Sequence, residues 1–170
     1  MRKVILLAAA LVSSAVATRV EAATWLTPGV GCAVDPLDVG LAQHVNGYVE
    51  FRVSLTGDIL LYCPITAGQG GIEGTGWTLD LYYRDSTINN DQNFVRVDLQ
   101  RLDLTNGAIS SVPGCEFINS DGAVAPGYNI LNNSCTESFN PNRYAYLAKV
   151  TIKRSSSFQT MRFYGLSLYQ

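Results

Sequence analysis

The stretch "WTLDLYYR", residues 77–84, carries the residue pattern that decides the fold. Large apolar residues occupy every second position, and polar or amphipathic residues occupy the positions between them. One face would present Trp77, Leu79, Leu81 and Tyr83, and the other would present Thr78, Asp80, Tyr82 and Arg84. A repeat of two residues predicts a β-strand that has one face in a hydrophobic core and the other in water.

The same alternation occurs on either side of this strand. The stretch "GYVEFRVSL", residues 47–55, places on one face Val49, Phe51, Val53 and Leu55. In "NFVRVDLQRLDL", residues 93–104, the apolar positions are Val95, Val97, Leu99, Leu102 and Leu104. The apolar phase shifts by one residue within this last series, which predicts a β-bulge near Gln100 and Arg101.

Turn signals separate these stretches from further candidate strands. Four more strands are predicted over residues 108–112, 115–118, 143–153 and 159–169. No long stretch shows the 3.6-residue repeat of an amphipathic helix. Many short, half-buried strands predict an all-β fold, and we expect an antiparallel β-sandwich of jelly-roll type that forms a single domain.

The chain begins with the features of a secretory signal peptide. Two basic residues precede the uncharged stretch Val4–Ala17, and a pattern of small residues ends at Ala22. This order predicts a signal peptide over residues 1–22, with Ala23 as the alternative cleavage site. The apolar stretch is shorter than the roughly 18 to 20 residues of a membrane-spanning anchor, so cleavage is favoured. We expect residues 23–170 to form a secreted or periplasmic domain.

The charge of the chain argues against several classes of partner. The formal net charge is −2, from 12 Lys and Arg against 14 Asp and Glu. No cluster of basic residues provides the electrostatic surface that nucleic-acid binding requires. No amphipathic stretch rich in Lys and Arg predicts attachment to a membrane surface. We therefore expect neither nucleic acid as a partner nor stable membrane insertion.

Four cysteines follow the predicted signal peptide, at Cys32, Cys63, Cys115 and Cys135. An even number in an exported chain predicts two disulfides. Zinc is disfavoured because the cysteines are widely spaced and the chain has one histidine, His44. Four cysteines allow three pairings. We favour Cys32–Cys63 with Cys115–Cys135, because the second pair brackets residues 116–134, a loop-rich segment with little apolar periodicity.

The stretch "LLYCPI", residues 60–65, resembles a group of small exported bacterial proteins. Those proteins carry a Cys-Pro-Ile or Cys-Pro-Val step at the end of a strand, and here the step is formed by Cys63, Pro64 and Ile65. The layout of four cysteines adds to the resemblance. The resemblance implies export and a β-sandwich, and it transfers no catalytic residue.

The tyrosine content bears most directly on function. Nine tyrosines are present, and each combines an aromatic face with a polar tip. We predict a ligand-binding face that consists of Tyr48, Asp80, Tyr82 and Arg84, which fall on the polar side of the predicted strands. Aromatic rings beside carboxylate and guanidinium groups suit sugars. The leading hypothesis is a non-catalytic recognition module whose partner is carbohydrate or another cell-surface component.

Two other classes of function stay open. A hydrolase would need two strand carboxylates that face each other in a cleft, and the candidates are Glu50, Asp80, Asp98 and Glu116. His44 has no accompanying GxSxG motif of a serine hydrolase, and enzymatic activity is not expected. The remaining alternative is a structural or inhibitory exported protein, which would present neither a cleft nor a ligand site.

One loop partly matches a calcium-binding pattern. The stretch "DSTINND" places oxygen-bearing side chains at alternating positions, namely Asp85, Thr87, Asn89 and Asp91. An EF-hand loop requires Gly at the sixth position and Glu at the twelfth, where this chain has Asn90 and Arg96. A polar hairpin loop is therefore favoured over a metal site. No cofactor is expected, and calcium is the one candidate.

Overall fold

The computed structural model describes residues 24–65, 73–87, 91–115, 118–122 and 126–170. Within these residues the chain folds into two antiparallel β-sheets that pack face to face. The predicted signal peptide, residues 1–22, lies outside the described residues. The all-β sandwich predicted from the alternating sequence pattern is confirmed.

Twelve strands form in the described part of the chain. In chain order they are β1 (Thr24–Pro28), β2 (Ala33–Val34), β3 (Ala42–Val45), β4 (Tyr48–Phe51), β5 (Gly57–Ile65), β6 (Thr78–Asp85), β7 (Phe94–Asp103), β8 (Ile109–Ser111), β9 (Ile118–Asn119), β10 (Gly127–Ser134), β11 (Tyr144–Arg154) and β12 (Met161–Tyr169). Two 3-10 turns, Gly29–Gly31 and Ser120–Gly122, accompany them. Among the described residues, no helix is long and apolar enough to cross a membrane.

The front sheet contains β10, β6, β12, β4 and β3 in that order, and β1 pairs with β12 beside β4. The back sheet contains β2, β5, β11, β7 and β8, and β9 pairs with β7 beside β8. The long strands β5, β6, β7, β10, β11 and β12 alternate between back and front sheets along the chain. This crossing between layers at each step gives the jelly-roll topology that was predicted.

The core lies between the sheets and consists of side chains from alternate strand positions. Trp77, Leu79, Leu81 and Tyr83 are each at most 1% exposed, so the alternation in the opening stretch was predicted correctly. Val95, Val97 and Leu99 of β7 face them from the back sheet and are fully buried. Burying one such side chain contributes roughly 1.5 to 3 kcal/mol. The sandwich forms because each sheet presents one apolar face to the other.

The bulge predicted in β7 near Gln100 and Arg101 is wrong. β7 pairs with β11 without a break in register along its whole length. Leu102 and Leu104 are exposed, and Asp103 is the buried residue instead. Its carboxylate accepts hydrogen bonds from the backbone and hydroxyl of Thr105, at 2.9 and 2.5 Å. A carboxylate that closes the following turn thus takes the inward position that the sequence pattern gave to leucine.

The prediction that Val53 and Leu55 join the core is also wrong. β4 ends at Phe51, and Val53 is 83% exposed. The buried guanidinium of Arg154 donates hydrogen bonds to the backbone carbonyls of Arg52 and Leu55. These bonds hold the chain in a turn where the alternation of residues would have continued a strand.

The described part of residues 116–134 is more regular than the sequence indicated. β10 occupies the second half of the segment and pairs with β6 along its full length. Its outward positions include Tyr128 and Ile130, while its inward positions include Asn129 and Asn133. Apolar and polar residues occur on both faces of this edge strand, so the period-two signal was too weak to predict it.

Both predicted disulfides are confirmed. Cys32 is bonded to Cys63 with the Cα atoms 4.4 Å apart, and Cys115 is bonded to Cys135 with the Cα atoms 4.5 Å apart. The first links the segment before β2 to β5. The second links Cys115, which follows β8, to Cys135, which directly follows β10.

Removal of the second disulfide should lower stability. We expect the Cys115→Ala/Cys135→Ala double variant to lose about 3 kcal/mol of unfolding free energy, because the unfolded chain gains the freedom of an open loop. Urea unfolding at neutral pH measures the change, and the Cys32→Ala/Cys63→Ala variant is the comparison. An unchanged urea midpoint in the first variant would show that β10 is held by strand pairing alone.

Tyr83 should make the protein sensitive to alkaline pH. The side chain is buried, and its hydroxyl has no hydrogen-bond partner in the described part of the chain. Burial, followed by the negative charge of Asp85, raises the pKa of Tyr83 from 10.0 to about 12. The unfolded state therefore loses this proton before the folded state does. Its stabilising contribution is full below pH 10 and is lost as the pH rises toward 12.

The test compares urea midpoints at pH 8 and pH 11 for the wild type and Tyr83→Phe. We expect the variant to lose less stability between the two pH values, because phenylalanine does not ionise. Tyr48→Phe, which removes a hydroxyl from a half-buried tyrosine of the front sheet, is the control. Equal losses in Tyr83→Phe and the wild type would rule out Tyr83 as a source of alkaline sensitivity.

Candidate functional site

The outer face of the front sheet carries the candidate site. Because side chains alternate along each strand, β10, β6 and β12 present every second residue outward, in rows that cross the sheet. The rows are Asn132, Asp80 and Ser167; then Ile130, Tyr82 and Gly165; then Tyr128, Arg84 and Arg162. Strand pairing therefore sets which functional groups are neighbours on this face.

A groove lined by tyrosines crosses this face. It has a volume of about 250 Å³, and its walls are formed by Leu26, Thr27, Pro28, Tyr82, Tyr128, Tyr164 and Gly165. The rings of Tyr128 and Tyr164 meet edge to face with centroids 5.2 Å apart. Tyr48 contacts the other side of Tyr164, with centroids 5.1 Å apart. We call this feature the tyrosine groove.

Gly165 shapes the floor of the groove. The register between β12 and β6 shifts between Phe163 and Gly165, which places a β-bulge in the middle of β12. A Cβ atom on Gly165 would lie 2.4 Å from the carbonyl oxygen of Thr27. Only glycine lets β1 approach this closely, and the absence of a side chain leaves the space beside Tyr82 open.

A polar cluster lies at one end of the groove around Asp80, which is 9% exposed. The hydroxyls of Tyr82, Ser167 and Tyr169 lie 3.4 to 3.5 Å from its carboxylate oxygens. Tyr82 and Ser167 also share a hydrogen bond of 3.2 Å. Burial and the charge of Asp80 raise the pKa of Tyr169, so this phenol stays a donor at neutral pH. We call these four residues the Asp80 cluster.

The other end of the groove is cationic. Arg162 donates a hydrogen bond of 2.7 Å from Nε to Glu50, and its guanidinium lies 4.7 Å from the centroid of the Tyr48 ring. Burial lowers the pKa of Arg162, while hydrogen bonds to Glu50 and Tyr164 raise it by more, so the net shift is upward. Arg84 lies directly opposite Arg162 and is exposed. The face thus has a carboxylate at one end and guanidinium groups at the other.

The structure places all four residues of the predicted ligand face on this surface, namely Tyr48, Asp80, Tyr82 and Arg84. Sequence reasoning missed the partners from other strands, which are Leu26, Tyr128, Tyr164 and Tyr169. Alternation within the predicted strand 159–169 was a signal for the last two. The bulge at Gly165 breaks that alternation, and the segment that contains Tyr128 was not expected to be a strand.

Two of the four candidate calcium ligands, Asp85 and Thr87, are hydrogen-bonded to neighbouring groups. Asp85 is buried, and one carboxylate oxygen accepts hydrogen bonds from the backbone and hydroxyl of Thr87, both at 2.7 Å. The other oxygen accepts a bond of 2.7 Å from Ser120. Asp91 is exposed, and Asn89 lies outside the described residues. The described residues contain no cluster of three or more His, Cys, Asp or Glu side chains that could hold a metal ion.

The three candidate catalytic carboxylates that the structure describes do not form a pair. Glu50 and Asp80 lie opposite Arg162 and Ser167 on β12, five residues apart. The bulge contains one of the intervening residues, so the rows are about 13 Å apart along the strand. Glycosidases hold their two acids about 5 to 9.5 Å apart. Asp98 lies on the back sheet, where it bonds to Gln100 and Ser111. Glu116 lies outside the described residues.

A wider cleft of about 500 Å³ lies between β2 and β3, at one side of the sandwich. It is lined by Cys32, Ala33, Val34, Val39, Ala42, Gln43, His44 and Arg52. These residues provide no phenyl, phenol or indole ring for stacking, and Arg52 Nε already donates to the carbonyl of Ala42 at 2.9 Å. The tyrosine groove is smaller, but it combines aromatic faces with polar groups and is the better candidate for ligand binding.

Comparison with known proteins gives no family assignment. No model of a known protein family matches the chain, and no curated protein matches it. Among solved structures, the xylan-binding module CBM15 covers 88% of this chain and 97% of its own, with 9% identity and a TM-score of 0.49.

Two further solved structures also match over most of this chain. The CBM36-1 domain of a multidomain xylanase from the hindgut metagenome of Trinervitermes trinervoides covers 86% of this chain and 96% of its own, with 11% identity and a TM-score of 0.46. The mosquito-larvicidal Cry4Aa toxin from Bacillus thuringiensis has a TM-score of 0.45, with 12% identity and coverage of 86% of this chain and 23% of its own. Because these scores are all below 0.5, they carry no argument about ligand or activity.

Substitution of Gly165 tests the geometry of the groove floor. We expect Gly165→Ala to cost roughly 1 to 3 kcal/mol, because the added methyl group overlaps the backbone of Thr27 and must push β1 away from β12. Thermal unfolding followed by circular dichroism measures the loss. Gly40→Ala is the control, since no atom lies within 4 Å of a Cβ at that position. Equal melting temperatures for both variants would contradict the close approach of β1.

Proposed function

We propose that this protein is an exported, non-catalytic carbohydrate-recognition module that binds a glycan along the tyrosine groove. The observation that carries this proposal is the juxtaposition of the three groove tyrosines, Tyr82, Tyr128 and Tyr164, with the Asp80 cluster. Strand pairing places the outward residues of β6 beside those of β10 and β12, and together they form a continuous surface of aromatic rings and hydrogen-bonding groups.

A sugar ring matches the two kinds of group on this surface. It has an apolar face of C–H bonds and a rim of hydroxyls, and tyrosine offers an apolar ring together with a polar tip. Asp80 accepts hydrogen bonds, Ser167 both donates and accepts them, and the Asn132 amide does the same. Asn132 lies in the same row as Asp80 and is exposed. A glycan could therefore stack on the rings and bond at its edges.

The groove is held ready for a ligand before binding. Tyr164 is fixed by ring contacts on both sides, from Tyr48 and Tyr128. The hydroxyl of Tyr82 is fixed by Asp80 and Ser167. Side chains that already occupy one conformation lose little entropy when a ligand binds, so more of the contact energy contributes to affinity.

The back sheet has a different outer surface. Lys149 lies between Asp98 on one neighbouring strand and Tyr62 on the other. Thr151 lies opposite Arg96, in the next outward row. Tyr62 directs its hydroxyl to Asp35 at 3.3 Å. Phe94 on this face lies beside Arg96 and Lys153. The front sheet instead gathers three tyrosine rings around one groove, and this contrast between the faces supports the front sheet as the ligand site.

The two disulfides support the exported location within this proposal. All four cysteines are bonded, and disulfides persist in the periplasm and outside the cell but are rare in the cytosol. The signal peptide predicted over residues 1–22 accounts for how the chain would reach such a compartment. A surface that faces extracellular polysaccharide is consistent with this location.

Removal of single groove rings tests the proposal. We expect Tyr82→Ala and Tyr164→Ala each to weaken binding to a recognised polysaccharide roughly tenfold, because each loses one stacking surface. Affinity gel electrophoresis against a panel of neutral and acidic polysaccharides identifies the ligand class, and isothermal titration calorimetry gives the affinities. Tyr62→Ala on the back sheet is the matched control and should leave binding unchanged.

Two results would overturn the proposal. One is that the oxidised protein binds no polysaccharide in the panel. The other is that Tyr62→Ala weakens binding as much as Tyr82→Ala, since the effect would then come from general destabilisation. Circular dichroism of each variant establishes that it is folded before binding is measured.

A further inference from the structure

Strand register places two arginines side by side on the outer face of the front sheet. Arg84 of β6 is directly opposite Arg162 of β12. Opposed residues of an antiparallel pair have Cβ atoms about 4.5 to 5.5 Å apart, and like charges at such positions repel each other. The pairing of β6 with β12 therefore brings two positive charges close together at the surface.

One carboxylate, that of Glu50, forms an ion pair with one of these two arginines. Glu50 accepts a hydrogen bond from Arg162 at 2.7 Å, and its other oxygen accepts one from the Gln43 amide at 2.9 Å. Arg84 is exposed and has neither an ion-pair nor a hydrogen-bond partner in the described ranges of the chain. The pair of arginines thus carries one positive charge that no described side chain compensates.

This charge lies at the end of the tyrosine groove. Tyr128, which lines the groove, is directly opposite Arg84 on β10. Tyr82 precedes Arg84 by two residues on the same face, which is about 7 Å along the strand. A sugar ring that stacks between Tyr82 and Tyr128 would therefore have one of its substituents within reach of the Arg84 guanidinium.

We propose that the tyrosine groove binds an acidic glycan and that Arg84 receives the carboxylate of a uronic acid residue. This inference rests on the proposed function and names the substrate class of the same site. A guanidinium presents a planar fork of donors that matches both oxygens of a carboxylate. The bound anion also offsets the repulsion between Arg84 and Arg162.

The position of Asp80 limits how densely the glycan is charged. Asp80 precedes Arg84 by four residues on the same face, or about 13 Å along the strand. A chain with a carboxylate on every sugar would place a negative charge near that of Asp80. The groove therefore favours a glycan whose acidic residues are spaced apart, with a neutral sugar that donates hydroxyl hydrogens to Asp80.

The test uses the full oxidised protein and acidic polysaccharides, each before and after chemical reduction of its carboxyl groups. Glucuronoxylan and hyaluronan have spaced uronic acids, polygalacturonate is acidic at every residue, and carrageenan carries sulfate instead. We expect at least one spaced polymer to bind about tenfold more tightly than its reduced form. Binding should weaken as salt is raised, because exposed charge pairs are screened.

Arg84→Gln is the diagnostic variant, and Arg96→Gln is its matched control, an exposed arginine on the outer face of the back sheet. We expect Arg84→Gln to bind the acidic polymer no better than the wild type binds its reduced form. Arg96→Gln should bind like the wild type. Arg84→Gln should lose less affinity for the reduced polymer than for the acidic one, and circular dichroism shows that the variant is folded.

The outcomes separate this inference from the proposed function. Equal binding of acidic and reduced polymers that depends on Tyr82 but not on Arg84 overturns the acidic ligand and leaves carbohydrate recognition standing. Tightest binding of polygalacturonate overturns the spacing, and selective binding of carrageenan overturns the carboxylate. Binding to no polymer at all removes the proposed function together with this inference.

Discussion

The pairing of β12 with β6 is the interaction on which the rest of the structure depends. β12 pairs with β6 along one edge, and with both β4 and β1 along the other. A bulge at Gly165 lets one strand satisfy all three partners, because it bends the strand and shifts its register once. The inward positions of β12 supply Phe163, Leu166 and Leu168 to the core. The outward positions of β12 supply one half of the groove.

The same bulge connects the packing of the core to the chemistry of the surface. Arg162 lies opposite Arg84 and Gly165 lies opposite Tyr82, and without the register shift only one of these two pairings could form. The close approach of β1 at Gly165 brings Leu26 and Pro28 to the edge of the groove. Stability and the proposed ligand binding therefore place constraints on the same residue, and a side chain at position 165 would disturb both.

Sequence reasoning correctly predicted the features that depend on the local alternation of apolar and polar residues and on the pairing of cysteines in an exported chain. The fold class followed from period-two patterns such as the one at residues 77–84, since burial of one strand face is the dominant energy term. The disulfides followed from cysteine count and the loop that one pair brackets. Three residues of the predicted ligand face, Asp80, Tyr82 and Arg84, share the outer face of β6 as expected, because they alternate along a single strand.

What the sequence did not reveal depends on contacts between distant segments. Tyr82 and Tyr128 line one groove, although 46 positions separate them in the sequence, and no local pattern encodes this proximity. Asp103 and Arg154 are buried because turns need their hydrogen bonds, which overrides the preference of charged groups for water. Because of these buried charged residues, the sequence pattern predicted a bulge in β7 and a continuation of β4 beyond Phe51, and the structure has neither.

Placing the site on paired strands has a consequence for how it can discriminate among ligands. Backbone hydrogen bonds of the front sheet set the strand positions that carry the rings, the carboxylate and the guanidinium, so these backbone positions move little relative to one another. The Asp80 carboxylate and the Arg84 guanidinium lie toward opposite ends of the groove, with Tyr82 between them in the sequence of β6, which makes the surface electrically asymmetric. Under the proposed function, an asymmetric surface on paired strands would distinguish both the direction of a chain-like ligand and the spacing of its charges. A loop-borne site of the same composition would not, because its groups could rearrange to suit either direction.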